Sequence, residues 1–237
     1  MSTLPPEPLV LVPGLLCDEA VWAHQIAALS PRHPVIVPDC TRFDRLEAMA
    51  AHILATAPPR FAIAGHSMGA RVALEVWRQA SGRVARLALL DTGVHPPSPD
   101  EAEKRQVMLD ISAGHGMTAL ADAWLPPMVA PGRLARDGAL RAALYAMVER
   151  MSPAIHRAQI AALLHRRDAA PLLPQIACPV LVGVGEHDQW SPPSQHHPIA
   201  AAIPGAHMTI FADSGHMAPM EAPDAVTAAL AVWLQHA

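Results

Sequence analysis

The segment FAIAGHSMGARVALEVW, residues 61–77, decides how the chain is interpreted. Its first half is apolar and predicts a buried strand, and its second half has the spacing of an amphipathic helix. Ser67 lies at the turn between them, with Gly65 and Gly69 two residues away on either side. A strand–turn–helix corner is sterically crowded, and glycines relieve the crowding while the serine side chain stands clear. The segment therefore predicts that Ser67 is a nucleophile activated by a neighbouring base.

Short apolar segments alternate with helix-like segments along most of the chain. Strands are predicted over residues 8–14 (with a turn at its end), 33–39, 60–65, 84–91, 178–185 and 206–212. Helices are predicted over residues 18–30, 44–56, 69–80 and 222–236, with one more between the last two strands. Wholly apolar strands alternating with helices are typical of a parallel sheet covered on both faces. The expected fold is therefore α/β, with a mostly parallel sheet of about six strands flanked by helices.

The segment from residue 93 to 170 interrupts this alternation. It contains no clear strand, and its apolar and charged residues mix at helical spacing. A single crossover between strands rarely needs so long a connection. We therefore expect a helical cap over 93–170, inserted into a core formed by residues 1–92 and 171–237.

Composition narrows the class of protein. The chain has 237 residues, of which 51% are apolar, and a net charge of −4 without a basic stripe. These values predict one domain with a large core and argue against binding to nucleic acid. The apolar run near the N-terminus is too short for a signal peptide or a membrane span. The three cysteines are odd in number and scattered, which favours reduced thiols and a cytoplasmic location.

Several polar or turn residues follow the ends of predicted strands. They are Pro13-Gly14, Ser67, Asp91, Asp188 and His216. In a parallel sheet with right-handed crossovers, the C-terminal ends of all strands lie at one edge, where open sheets bind ligands. We therefore expect these residues to converge, although they are far apart in sequence.

Four motifs give the chain a specific resemblance over nearly its full length. They are VPGLLCD, AGHSMGARVALE, VLVGVGEHD and ADSGHMAPMEAPDAV, in this order along the sequence. The chain resembles the α/β-hydrolase family in these segments, and the last is similar to the histidine loop of small bacterial esterase-like members. The resemblance implies an order of oxyanion loop, nucleophile, acid and histidine.

The expected catalytic residues follow from that order. Ser67 is the nucleophile, His216 is the base after the final strand, and Asp188 is the acid that orients the imidazole. Asp91, after the fourth strand, is an alternative acid position in related folds. The backbone amides of Met68 and Leu15 are expected to form the oxyanion hole.

The oxyanion loop departs from the family pattern in one place. Many relatives have His-Gly where this chain has Pro13-Gly14, so hydrogen bonds made by that histidine are lost. The Leu15 amide is still available.

Four further residues are candidates for substrate binding, namely Arg71, Trp124, Met128 and Trp190. Arg71 lies one helical turn after Ser67, where some relatives that act on carboxylated substrates have arginine. It either binds an anion or forms a surface ion pair. Trp124 and the insertion methionines Met108, Met117, Met128, Met147 and Met151 either line an acyl pocket or pack between helices. His187, His196 and His197 lack metal-ligand spacing and are expected to be exposed, so no metal is predicted.

The function expected from these residues is a serine hydrolase that cleaves a small to medium carboxylic ester or thioester through an acyl-enzyme, without a cofactor. The partner is a small-molecule substrate, and the sequence does not predict the oligomeric state. An alternative uses the same residues for carbon–carbon bond hydrolysis or a lyase step on a carboxylated metabolite. A more remote alternative is a non-catalytic small-molecule receptor.

Overall fold

A computed structural model describes residues 7–235, and within them six parallel strands form one sheet. The strands are β1 (Leu9–Val12), β2 (Val35–Ile36), β3 (Phe61–His66), β4 (Val84–Leu90), β5 (Val180–Gly185) and β6 (His207–Phe211). Their order across the sheet is β2-β1-β3-β4-β5-β6. The predicted α/β fold with a parallel six-stranded sheet is confirmed. Strands β1, β3 and β5 are buried along their whole length, as their unbroken apolar sequences require.

The α-helices flank this sheet. They are α1 (Ala23–Leu29), α2 (Leu46–Thr56), α3 (Met68–Ala80), α4 (Glu101–Trp124), α5 (Arg133–Arg136), α6 (Gly138–Glu149), α7 (Pro153–Leu164), α8 (Pro193–Ala202), α9 (Ala218–Glu221) and α10 (Pro223–Gln235). Helix α2 packs on α3, and α1 packs on α10. Within residues 7–235, no helix has the length and apolarity needed to cross a bilayer.

Two predicted elements differ from the structure. The strand predicted over 33–39 is reduced to the two residues of β2. Pro34 and Pro38 flank it, and proline has no N–H to donate to a neighbouring strand, so pairing stops early at this sheet edge. The helix predicted over 18–30 begins instead as a 3₁₀ turn over Glu19–Trp22, capped by the Asp18 carboxylate, and continues as α1.

The strand order places the oxyanion loop beside the serine turn. Strand β1 pairs with β3, and Val12 lies opposite Gly65 in the register. The chain adds β2 on one side of β1 and then adds β3 on the other side. Open α/β sheets bind ligands where the strand order reverses in this way. The loops that follow β1 and β3 are therefore neighbours at the C-terminal edge.

The turn between β3 and α3 is strained and tightly packed. Ser67 has a φ of 54° and a ψ of −115°, a conformation that a non-glycine residue rarely adopts. A side chain at Gly65 would overlap the backbone of Gly69 and Ala70, and one at Gly69 would overlap the carbonyl of Val12. The two glycines therefore allow α3 to start directly against β3 and β1.

The chain between β4 and β5 is wholly described, and it contains helices α4–α7 and no strand. A backbone hydrogen bond of 2.9 Å from the Ala169 N–H to the Val94 oxygen joins the two ends of this segment. Arg150 donates to Asp18 at 2.6 Å, which ties the segment to the chain after β1. Leu120, Leu144 and other apolar residues of these helices belong to the buried core.

We predict that Gly65→Ala lowers the free energy of unfolding by about 3 kcal/mol, because its methyl group would overlap backbone atoms that cannot move independently. Gly82→Ala is the matched control, since no atom lies within 4 Å of its added Cβ. Urea unfolding followed by circular dichroism measures both. Equal stability of the two variants would contradict the packing described for the serine turn.

Candidate active site

The structure brings Ser67, His216 and Asp188 into one hydrogen-bonded chain. The Ser67 Oγ lies 2.7 Å from Nε2 of His216, and Nδ1 of His216 lies 2.8 Å from Oδ2 of Asp188. The three residues come from the loops after β3, β6 and β5. Because a carboxylate only accepts, the Nδ1–H of His216 donates to Asp188, and its Nε2 is left to accept from the serine hydroxyl.

The Asp188 carboxylate is fixed on its other side by backbone amides. Its Oδ1 accepts from the N–H groups of Trp190 and Ser191, each at 2.8 Å. Asp188 and His216 are each 2% exposed, so water does not compete for the bond between them. The acid is therefore held in position before any substrate binds.

Asp91, the alternative acid, has different partners. Its Oδ1 accepts from the Gly185 N–H at 2.8 Å, and its Oδ2 has no hydrogen-bond partner in residues 7–235. Burial, and then the charge of Asp188, raises the pKa of the Asp91 carboxyl well above its usual range. In residues 7–235 neither oxygen of Asp91 bonds the His216 ring, whereas Oδ2 of Asp188 does at 2.8 Å. The geometry therefore favours Asp188.

His66 bonds the backbone of His216. Its Nε2–H donates to the backbone oxygen of His216 at 2.7 Å. Burial lowers the pKa of His66 to about 3, so its ring is neutral. The residue before Ser67 thus holds the backbone of His216, which joins the serine turn to the histidine loop.

Glu221 holds the same loop from the other side. Its Oε2 accepts from the N–H of Gly215 at 2.8 Å and of Met217 at 3.3 Å, the two residues that flank His216. Its Oε1 accepts from the Ala130 N–H at 2.7 Å, in the segment between β4 and β5. One buried carboxylate therefore positions the histidine loop and joins it to the helical segment.

Among the described residues, two backbone amides beside Ser67 are free, that of Leu15 in the oxyanion loop and that of Met68 at the start of α3. In the described chain, neither the Leu15 N–H nor the Met68 N–H donates to another protein group, and both residues line the space around Ser67. The loop is held at the next residue, where the Leu16 N–H donates to Oε1 of the buried Gln159 at 2.9 Å. Leu16 has a φ of 59°, a strained conformation for a leucine, so this bond from α7 stabilises it.

A small space lies directly over Ser67. It has a volume of about 50 Å³, and Trp124, Met128 and Trp190 are among the residues that line it. At roughly 10–15 Å³ per water-sized atom, it has room for only a few non-hydrogen atoms. Trp124 is 6% exposed and forms an inner wall, whereas Trp190 is 51% exposed and lies at the rim.

A larger cavity of about 530 Å³ continues from this space. The two share Leu15, Arg71, Arg105, Trp124, Trp190 and Ser191. Of the insertion methionines, Met108 lines the cavity and Met128 lines the space over Ser67, while Met147 and Met151 are buried in the core. Both alternatives for the insertion methionines therefore occur, and arginine and tryptophan side chains line the two spaces beside Met108 and Met128.

The alternative of a surface ion pair for Arg71 does not hold. Arg71 has no carboxylate partner in residues 7–235, and its Nη1 donates to the backbone oxygen of His95 at 3.0 Å. It lines both the cavity and the space over Ser67.

The histidines expected at the surface fall into two groups. His187 and His197 are exposed, but His196 is buried and its Nε2 accepts from the Thr92 N–H at 2.9 Å. Thr92 in turn donates to the Ser67 backbone oxygen at 3.0 Å, so His196 supports the serine turn indirectly. Within the described residues, no group of three or more His, Cys, Asp or Glu side chains could hold a metal ion.

Sequence reasoning missed the three buried supports, Gln159, Glu221 and His66. Gln159 lies in an otherwise ordinary helical pattern, and no local feature connects it to a loop more than a hundred residues away. The position of Glu221 could have indicated its role, because it lies five residues after His216 between apolar neighbours.

Comparisons with known proteins agree with this fold. A thermophilic esterase from Thermogutta terrifontis, solved with malate bound, superposes with a TM-score of 0.89 at 30% identity, over 97% of this chain and 89% of that one. An enol-lactonase from Burkholderia xenovorans LB400 has a TM-score of 0.85 at 26% identity, over 97% and 92% of the two chains. An esterase from Exiguobacterium antarcticum shares the fold at 16% identity, with a TM-score of 0.82 over 97% and 92%.

No curated protein matches the chain by sequence. The family model of the alpha/beta hydrolases, however, matches residues 9–229, almost the whole described length. The strand order, the strained serine turn and this match lead to one conclusion: the chain belongs to the alpha/beta hydrolase family.

Proposed function

We propose that this hydrolase cleaves small to medium carboxylic esters or thioesters through an acyl-enzyme on Ser67. The observation that carries the proposal is the continuous hydrogen-bonded chain from the Ser67 hydroxyl through His216 to the buried Asp188. The esterase and the enol-lactonase among the similar structures also cleave, by their names, ester or lactone bonds. Fold likeness alone does not give a reaction, so the side-chain geometry is the main support.

The first half of the reaction uses each residue of the site. As the Ser67 Oγ attacks the ester carbonyl, His216 Nε2 takes its proton, and Asp188 stabilises the resulting imidazolium. The negative charge that develops on the carbonyl oxygen is held by the free N–H groups of Leu15 and Met68. Collapse of the tetrahedral intermediate expels the alcohol or thiol, which receives the proton from His216.

The second half repeats these roles with water. His216 removes a proton from a water molecule, which attacks the acyl group on Ser67, and the acid product leaves as the serine hydroxyl regains its proton. The machinery needs no redox or group-transfer partner for either half.

We assign residues 93–170 to a cap that covers this site. The segment supplies Trp124 and Met128 to the space over Ser67 and Arg105 to the cavity beyond it. The narrow space next to the serine favours compact groups at the reacting carbonyl, which supports small to medium esters as substrates.

The alternatives are less well supported. Carbon–carbon bond cleavage has the cavity arginines in its favour, since they fit a carboxylated substrate, but they fit a carboxylated ester equally well. A non-catalytic receptor has no use for a serine, histidine and aspartate in hydrogen-bond contact around two free amides.

The nucleophile can be tested by covalent labelling. A fluorophosphonate probe is expected to add to Ser67, because its phosphorus mimics the attacked carbonyl, and peptide mass mapping locates the adduct. Ser67→Ala should abolish labelling. Undiminished labelling of that variant would overturn the assignment.

The orienting acid can be tested by a matched pair of variants. Asp188→Asn should lower kcat by up to about 10⁴-fold, since the amide no longer holds the His216 tautomer that accepts from serine. Asp91→Asn should leave kcat within about tenfold of wild type, because that side chain does not bond the imidazole. Steady-state kinetics with one aryl ester measures both, and the reverse ranking would assign the role to Asp91.

The pocket can be tested with aryl esters of increasing acyl length. Each methylene that is buried adds about 0.8 kcal/mol, so kcat/KM should rise about fourfold per carbon until the space over Ser67 is filled and then fall. Trp124→Ala should move the maximum to longer chains by removing the inner wall. A profile that is flat, or unmoved in a folded Trp124→Ala variant, would contradict this pocket assignment.

A further inference from the structure

Among the described residues that line the larger cavity are three arginines, Arg71, Arg105 and Arg166, and a single carboxylate, Glu101. Arg166 is paired with Glu101 through two bonds, Nη1 to Oε1 and Nη2 to Oε2, each at 2.6 Å. Arg105 shares the same carboxylate, with its Nε 2.8 Å from Oε1. Arg71 has no acidic partner in the described chain.

The other titratable groups around the cavity do not cancel this excess. His95 and His156 are neutral at pH 7, since burial lowers the pKa of both, that of His156 to about 4. Lys104 at the rim is paired with Asp100. Burial, and then the charge of Arg166, lowers the pKa of Arg71 to about 9, which leaves the guanidinium charged at neutral pH.

An uncompensated cation in a half-buried cavity is costly unless a ligand neutralises it. In this protein the uncompensated cation lies next to Ser67. Arg71 follows Ser67 by one helical turn, about 5.4 Å along the axis of α3, and both Arg71 and Arg105 line the space over the serine. In residues 7–235, Nε and Nη2 of Arg71 and Nη1 of Arg105 have no hydrogen-bond partner, so their N–H groups remain for a ligand.

We propose that Arg71 and Arg105 form an anion subsite that binds a free carboxylate carried by the substrate in addition to its scissile ester. The inference rests on the proposed ester hydrolysis at Ser67. Guanidinium groups suit this task because their planar N–H pairs match the two oxygens of a carboxylate. Arg166 has a different role, since its two bonds to Glu101 hold the carboxylate that positions Arg105.

The substrate class is thus a monoester of a dicarboxylic acid, or an ester or lactone with a carboxylate elsewhere on its frame. Attraction between this anion and the positively charged cavity also steers the substrate towards Ser67.

The kinetic test compares acid-bearing esters with neutral partners of nearly the same shape. One pair is the mono-nitrophenyl ester of glutaric acid and its methyl-capped form, and the other is 4-acetoxybenzoate and its methyl ester. In at least one pair the free acid should have the higher kcat/KM. Arg71→Gln and Arg105→Gln should each lower the kcat/KM of that acid about 10- to 100-fold and that of the neutral partner less than about threefold.

The controls separate charge from folding. Arg157→Gln changes an exposed arginine on α7 and should leave both esters unaffected. Arg71→Lys keeps the charge without the planar donor pair and should fall between wild type and Arg71→Gln. Thermal unfolding confirms that each variant is folded.

A binding measurement makes the subsite independent of turnover. Calorimetry with glutarate should detect binding to wild type and to Ser67→Ala, at least tenfold weaker binding to Arg71→Gln, and no change in Arg157→Gln. If no ester is cleaved by any form, the proposed function is wrong, and glutarate binding still decides the subsite. Equal loss for acid and neutral esters, preference for the neutral ester in both pairs, or glutarate binding unaffected by Arg71→Gln would overturn the subsite.

Discussion

The rest of the site depends on two hydrogen bonds of the His216 imidazole, one to the Ser67 hydroxyl and one to the Asp188 carboxylate. Bonds of 2.7 and 2.8 Å on opposite sides of one ring leave little freedom for any of the three loops. Those loops follow three different strands of one parallel sheet, so their meeting depends on the strand order and register. The sheet therefore acts as the frame that places three residues distant in sequence within hydrogen-bond reach.

Buried supports outside the three residues make this arrangement rigid. Glu221 and His66 fix the backbone around His216, and Gln159 fixes the oxyanion loop at a strained leucine. Two of these supports also join the helical segment between β4 and β5 to the catalytic edge, through Gln159 itself and through the Ala130 amide on Glu221. The segment that lines the cavity thus also positions the residues proposed to react, so we expect a change in α7 to alter catalysis without touching substrate.

Features carried by local sequence were predictable. Unbroken apolar runs located the core strands, and the glycines around Ser67 located the serine turn, because backbone crowding there leaves no room for a Cβ. The motif order implied by the family resemblance led to His216 among the many histidines and favoured Asp188 over Asp91. The extent of β2 was not predictable from its apolar run alone, since its edge position and flanking prolines decided it.

Features that depend on tertiary packing could not be predicted. The burial of His196 and the role of Gln159 arise from contacts between distant segments that leave no periodic pattern. The charge of the cavity could not be predicted either, because Arg71, Arg105 and Arg166 come from separate helical turns or loops. Only the fold places them around one cavity.

Proton NMR of the His216 ring tests the central claim most directly. A hydrogen bond from Nδ1–H to a buried carboxylate moves that proton far downfield of the backbone amides. We predict one such resonance in wild type and in Asp91→Asn, and its loss in Asp188→Asn. A resonance that persists in Asp188→Asn, or disappears in a folded Asp91→Asn variant, would contradict the assignment of Asp188 and the arrangement of the site built on it.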